Sequence, residues 1–311
     1  MPHTHAERKA FWQIHFCVLL WGFTAILGKA ITLDAMALVV WRMGLVTAAL
    51  LLVPRVWRGL RAMPARQLGI YAGIGFLVAL HWLTFYGAIK LANASVAVTC
   101  IALATVFVPM VEPWITGRKF EPRELLLGVA VVPGVALVVG GVPDGMRMGI
   151  VVGTISAILV ALFGSLNKRY VERADPLTVT GLELGAGGLV LALLTPLLPW
   201  FGSPLVIPGA MDMAWLLVLA LACTLLPFAL SLVALRHLSA FSAQLAVNLE
   251  PIYAIVLAIV LLGEQHELGG MFYAGVVVIL AGVFVHPLLS RHPLPKPEPA
   301  NLGTAEGKVL D

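Results

Sequence analysis

The residues best placed to do chemistry lie in the middle of an apolar run. Asn248-Leu249-Glu250-Pro251 interrupts the stretch 240–264, which is otherwise almost wholly hydrophobic and long enough to cross a bilayer core as a helix. A carboxylate at that depth is costly unless it faces a cavity or a partner. Pro251 removes a backbone hydrogen bond and bends the helix at the same place. A polar, kinked midpoint is one way discontinuous helices form a solute site inside a membrane, and the alternative is a packing kink with Glu250 held by a neighbouring helix. Arg42 lies inside a second apolar run, too deep to reach the interface easily, where it can hold the carboxylate of a solute or of Glu250, or serve as half of a structural ion pair. His81, near the midplane of a third run, titrates near neutral pH and can relay a proton or donate to a solute carboxylate; equally it can be tied to a neighbouring helix. Trp82 and Tyr86, four apart on one face of that run, can wall a cavity and cover an ammonium group, or face lipid. Trp21 and Thr24 lie centrally in the first run, and Thr99 and Asn248 in two others, where they would bond a polar solute or join helices.

Those runs dominate the chain. Hydrophobic residues make up 60% and charged residues 12%, against about 25% charged in soluble domains, and mean hydropathy is +0.97. This composition is that of an integral membrane protein. The net charge of +4 is not a nucleic-acid signal, because the basic residues fall in short connections between apolar spans rather than on one face. Cys17, Cys100 and Cys223 all lie in apolar segments without CxxC or His spacing, so neither a disulfide nor a metal site is expected. No cofactor is expected, and no cleavable signal peptide, since the first apolar run is too long for an h-region and lacks a small-x-small cleavage pattern.

The elements that must position these residues read as ten membrane helices, at 11–30, 35–53, 67–89, 95–115, 124–142, 148–167, 177–200, 213–235, 240–262 and 269–285. Pro and Gly mark several connections, and no loop is large enough for a soluble domain. Residues 1–10 read as a cytoplasmic N-terminus and 287–311 as a disordered Pro-rich cytoplasmic tail. With the N-terminus inside, 16 of the 20 lysines and arginines fall in cytoplasmic segments; Lys29, Lys90 and Arg147 fall outside and Arg42 within a span. Both termini are therefore expected in the cytoplasm.

Ten helices divide into five and five, 11–142 and 148–286, and an odd number per half requires the halves to be inverted. Leu91-Ala92-Asn93-Ala94-Ser95 enters the fourth span as Leu238-Ser239-Ala240-Phe241-Ser242 enters the ninth, which places Gly128-Val129 on Gly275-Val276. Asp34-Ala35 pairs with Asp175-Pro176 and sets Arg42 opposite Glu183, a second intramembrane acid with a functional and a structural reading.

Trp21-Gly22 in the first helix, Arg42 early in the second, Ala88 with Ala92, Ala94 and Ser95 after the third, and Leu249-Glu250-Pro251 with the ending Leu262-Gly263-Glu264 in the ninth together resemble the EamA family of the drug/metabolite transporter superfamily. The first half departs from the pattern, with Thr116-Gly117 where the repeat expects Gly-Glu and Ala104 where it expects proline; its fourth helix carries Pro109, Glu112 and Pro113 instead. The resemblance implies a multi-pass carrier of the bacterial inner membrane, commonly an exporter of amino acids or related metabolites.

On this reading Trp21, Arg42, His81, Trp82, Tyr86, Asn248 and Glu250 line a central cavity with one cation, one anion and aromatic walls, suited to a zwitterion. The partners are then a small amino-acid-like solute and the lipid bilayer, with protons as the coupling ion that Glu250 or His81 would carry. A passive channel is the first alternative. An intramembrane enzyme is disfavoured: His266-Glu267 lacks the second histidine of HExxH because Gly270 stands there, and no paired aspartates occupy facing spans. No catalytic residue is assigned.

Overall fold

The computed structural model describes residues 5–204 and 206–289, and every regular element among them is helical. The chain runs through α1 (His5–Ala30), α2 (Ala35–Leu51), α3 (Pro54–Ala62), α4 (Ala65–Leu91), α5 (Ala94–Ile101), α6 (Ala104–Thr116), α7 (Pro122–Ala130), α8 (Val132–Gly140), α9 (Arg147–Tyr170), α10 (Pro176–Leu194), α11 (Ala210–Ala220), α12 (Leu226–Leu235), α13 (Ala240–Val247), α14 (Glu250–Leu262) and α15 (Gly270–Leu289). Eight spans among the described residues are long and apolar enough to cross a membrane: α1, α4, α5–α6, α7–α8, α9, α10, α11–α12 and α13–α14. α2 reaches that length only when joined to α3, from which it is bent by 93°. Residues 287–289, expected to begin a tail, continue α15; the rest of the expected tail lies outside the described residues.

Several expected single helices are broken. The 55–66 connection contains α3, which opens on Pro54 and carries Arg55, Arg58 and Arg61; the Trp57 indole donates to Leu51 O at the end of α2. Pro133 accompanies the break at Val131 between α7 and α8. Between α11 and α12 the chain widens into a π-helix, Leu221–Leu225.

Two breaks correspond to each other. α13 ends at Val247 and α14 begins at Glu250; α5 ends at Ile101 and α6 begins at Ala104. In the register that aligns Leu91 with Leu238 the two breaks fall within one residue of each other, although the first half has no proline there.

Each broken span is held to the other by a carboxylate. Glu264, just beyond α14, accepts from the N–H groups of Ala94 and Ser95, both at 3.0 Å, and from Ser95 Oγ at 2.6 Å, at the start of α5. Glu112, on α6, accepts from the N–H groups of Ala240 at 2.9 Å and Phe241 at 3.1 Å, at the start of α13. Asn93 and Ser239 side chains cap the next N–H of each helix, at Val96 and Ser242. The backbone N–H groups among these donors would otherwise be buried, unpaired helix-end groups. The two spans therefore lie antiparallel, α5 against α14 and α6 against α13.

The packing of the remaining helices repeats this relation. α4 packs on α9 as α1 packs on α12; α9 packs on α5 and α6 as α1 packs on α13 and α14; α4 packs on α10 as α2 packs on α11. α2 against α10 and α8 against α15 are pairs that each exchange for themselves. Gly134 and Gly275 let α8 and α15 meet backbone to backbone, since a Cβ on either would fall within 2.8 Å of the other's carbonyl oxygen.

Glu264→Ala is expected to cost about 1–3 kcal/mol, the penalty for leaving buried donors unpaired, read as a lower thermal midpoint in detergent. Glu264→Gln, with one acceptor oxygen instead of two, should fall between the two proteins.

Candidate functional site

Arg42 is the centre of the polar interior. It sits on the second turn of α2, buried, and three side chains from two other elements fix it. Its Nε donates to Thr224 Oγ1 at 2.6 Å and its Nη1 to Tyr86 OH at 2.7 Å. The guanidinium carbon lies 3.8 Å from the centroid of Trp82, a cation–π distance. Thr224 can accept because the π-helix turns it inward: its hydroxyl donates to Leu219 O, five residues back, and receives Arg42 on its free lone pair. Pro227 supplies the local cause, since its ring lacks the N–H that an α-helix would send back to Cys223 O. No hydrogen bond to Arg42 Nη2 or to Glu250 is found among the described residues.

These two unpaired groups border the same space. A cavity of about 150 Å³ is lined by Arg42, Glu250, Trp21, Thr24, His81 and Trp82 at its inner part, with Phe85, Phe163 and Phe228 as aromatic wall. From there its lining reaches Asn167, Leu235 and Ala240, at the ends of α9 and α12 and the start of α13. At that end of the bundle lie the basic connections: Lys168 donates to Leu235 O, Arg169 to Ile115 O, Arg236 to Ala174 O, and Arg55 pairs with Asp175. The opposite end is closed by Glu264 on α5, by Thr32 donating from N and Oγ1 to Asp212, and by Lys90 donating to Ile31 O. None of those closing residues lines the cavity.

Of the seven residues expected to form the site, Trp21, Arg42, His81, Trp82 and Glu250 come together on the cavity wall. Tyr86 is fully buried behind Arg42, where its hydroxyl holds the guanidinium. Asn248 lies at the crossing of the broken spans, donating to Thr105 Oγ1 at 2.6 Å and accepting from Gln244 Nε2 at 3.3 Å. His81 faces the cavity but is anchored on α9: its Nδ1 lies 2.8 Å from Ser156 Oγ and 3.1 Å from Ser156 O. Arg42 and Glu250 do not form an ion pair among the described residues, so of the alternatives for Arg42 the direct hold on Glu250 is not seen.

Sequence reasoning missed Thr224, Ser156, Gln244 and Asn167. Gln244 was reachable, being one turn before Asn248 on the same helix face, and Pro227 pointed to an irregular turn near Thr224. Ser156 and Asn167 carry no local signal.

A sequence model of the EamA-like transporter family matches residues 9–140 and again residues 147–286. The chain belongs to the EamA-like transporter family. The two matches also make it a tandem of two EamA repeats within one multi-pass membrane protein. A solved structure described only as "Crystal structure of protein" superposes with a TM-score of 0.66 at 17% identity, covering 91% of this chain and 98% of that one, and shares the fold. A search of the curated proteins finds no match.

Thr224→Val removes the acceptor for Arg42 Nε at nearly unchanged volume. It should lower unfolding stability by about 1–3 kcal/mol, measured by thermal denaturation in detergent; an unchanged midpoint would mean Arg42 is held without it.

Proposed function

We propose that this family member is a secondary carrier that moves an amino-acid-like solute, as an exporter, by alternating access. The observation that carries this reading is the pair Arg42 and Glu250: one cation and one anion, unpaired with each other, border a single small cavity with aromatic walls. A solute carboxylate suits the free Nη2 of Arg42, and a solute ammonium suits Glu250 and the faces of Trp21 and Trp82. Pockets for drug-sized ligands run to roughly 300–1,000 Å³, so this one suits a small metabolite. The cavity's lining ends among the basic connections and stops short of the opposite end, which favours a carrier caught facing one side over an open channel.

We place ten spans in the bilayer, counting α2 and α15, as two inverted five-helix repeats in the bacterial inner membrane, with the basic end in the cytoplasm. The exchange of packing partners between the halves supports the inversion. Lysine and arginine placement supports the orientation. Protons are the natural coupling ion for a pathway that contains a carboxylate.

Two outcomes follow. In proteoliposomes loaded from an amino-acid panel, saturable movement should appear for at least one member and fall about tenfold or more in Glu250→Gln, the scale of losing one charge-assisted contact; a flat panel would overturn the substrate class. In intact cells, a thiol at Arg61→Cys should react only with membrane-permeant maleimide and one at Asp144→Cys with impermeant reagent as well; the reverse pattern would invert the orientation.

A further inference from the structure

A second carboxylate lies deep in the bundle and has no role in the site above. Glu183, on α10, is fully buried. Its one hydrogen bond is to Oε2, from Asn167 Nδ2 on α9 at 3.4 Å. Its Oε1 has no partner, and neither has Asn167 Oδ1. Two buried acceptors, one on each member of a bonded pair, both lack a donor.

The surroundings offer no cation to supply one. α2 presents Met43 and Thr47 to Gly188 and Gly185 of α10, and its only ionisable residue, Arg42, is held by Thr224 and Tyr86. From α4, the Tyr71 hydroxyl donates to Tyr170 O, His81 rests on Ser156, and Tyr86 is on Arg42. On α9, Lys168 donates to Leu235 O and Arg169 to Ile115 O. Arg55 of α3 pairs with Asp175, with Arg58 and Arg61 around an outer corner beside Leu52; Arg236, after α12, bonds Ala174 O. Glu183 makes no ion pair among the described residues. On the α4 side the backbones touch: a Cβ on Gly75 would collide with Glu183 O, and one on Gly187 with Gly75 O. On the other side stands Asn167, which lines the cavity.

We propose that Glu183 and Asn167 form a proton-binding site that loads from the cavity. One proton taken up on Oε1 converts the carboxylate to a carboxylic acid whose O–H donates to Asn167 Oδ1, while Asn167 Nδ2 continues to donate to Oε2. A single hydrogen thus closes a reciprocal acid–amide pair and satisfies both orphan acceptors, and the buried charge disappears. Because Glu183 is separate from Glu250, the proton and the solute would occupy different sites on the two sides of the cavity wall; that coupling role rests on the carrier reading above, whereas the proton site itself does not.

The test is infrared difference spectroscopy of the full-length reconstituted protein, without solute, titrated with pH. Wild type should show a protonated-carboxyl C=O band that is missing in Glu183→Gln, which replaces the acid with an uncharged isostere, and that shifts in Asn167→Ala. Identical spectra for wild type and Glu183→Gln overturn the proposal, as does a band indifferent to Asn167→Ala. Should Glu183→Gln fail to fold, the band shift in Asn167→Ala decides. A second arm separates coupling from carriage: with the amino-acid panel, Glu183→Gln should keep solute exchange at equilibrium and lose at least tenfold of the acceleration by a pH gradient. If no amino acid moves but the band behaves as expected, the solute reading fails and the proton site stands.

Discussion

Two carboxylates hold the middle of this protein together. Glu112 and Glu264 each leave their own broken span to accept from the first N–H groups of the other, so that α5–α6 and α13–α14 are clasped at both ends. In water such caps contribute modestly. Buried between helices, the same N–H groups have no water to turn to, and a helix beginning there requires a partner. The helix dipole adds to the preference for an anion at that place. Arg118, bonded to Glu112 at 3.3 Å, adds a cation to one clasp that the other lacks.

From that constraint the site follows. With both ends fixed, the breaks at Ala102-Leu103 and Asn248-Leu249 fall at one level, joined by Asn248 and Thr105, and Glu250 emerges at the start of α14 facing the cavity. Arg42 approaches from α2, held by a widened helical turn on one side and by Tyr86 and Trp82 on the other. The helices around it are packed closely enough that glycine is required where α4 crosses α10. A charged pair that is kept apart inside an apolar bundle is an arrangement that a zwitterion completes.

Much of this was legible in the chain and some was not. The long spans and the deep positions of Arg42, His81 and Glu250 follow from hydropathy alone, and Leu249-Glu250-Pro251 marks its break because proline cannot donate. The equivalent break at Ala102 has no such residue; what sits beside it is the hydrogen bond from Asn248 to Thr105. The first half lacks the Gly-Glu that the repeat pattern places after α6. Glu112, earlier in the same helix, takes the place of that glutamate, which spacing could not reveal because a carboxylate at either position can reach a neighbouring helix end. Tyr86 and Asn248 have the chemistry of site residues, but helix periodicity does not say which side of a packed helix borders empty space. Asn167 and Ser156, polar residues among apolar neighbours, acquire meaning only from what faces them.

The most direct test of the whole account is accessibility of the cavity itself. Ser231→Cys puts a thiol on its wall, in a background where Cys17, Cys100 and Cys223 are buried. In oriented vesicles it should react with polar maleimide supplied at the basic face, and a transported amino acid should slow that reaction. A thiol that no reagent reaches from either face, or one whose rate ignores every amino acid, would contradict the assignment of this cavity as the solute's path.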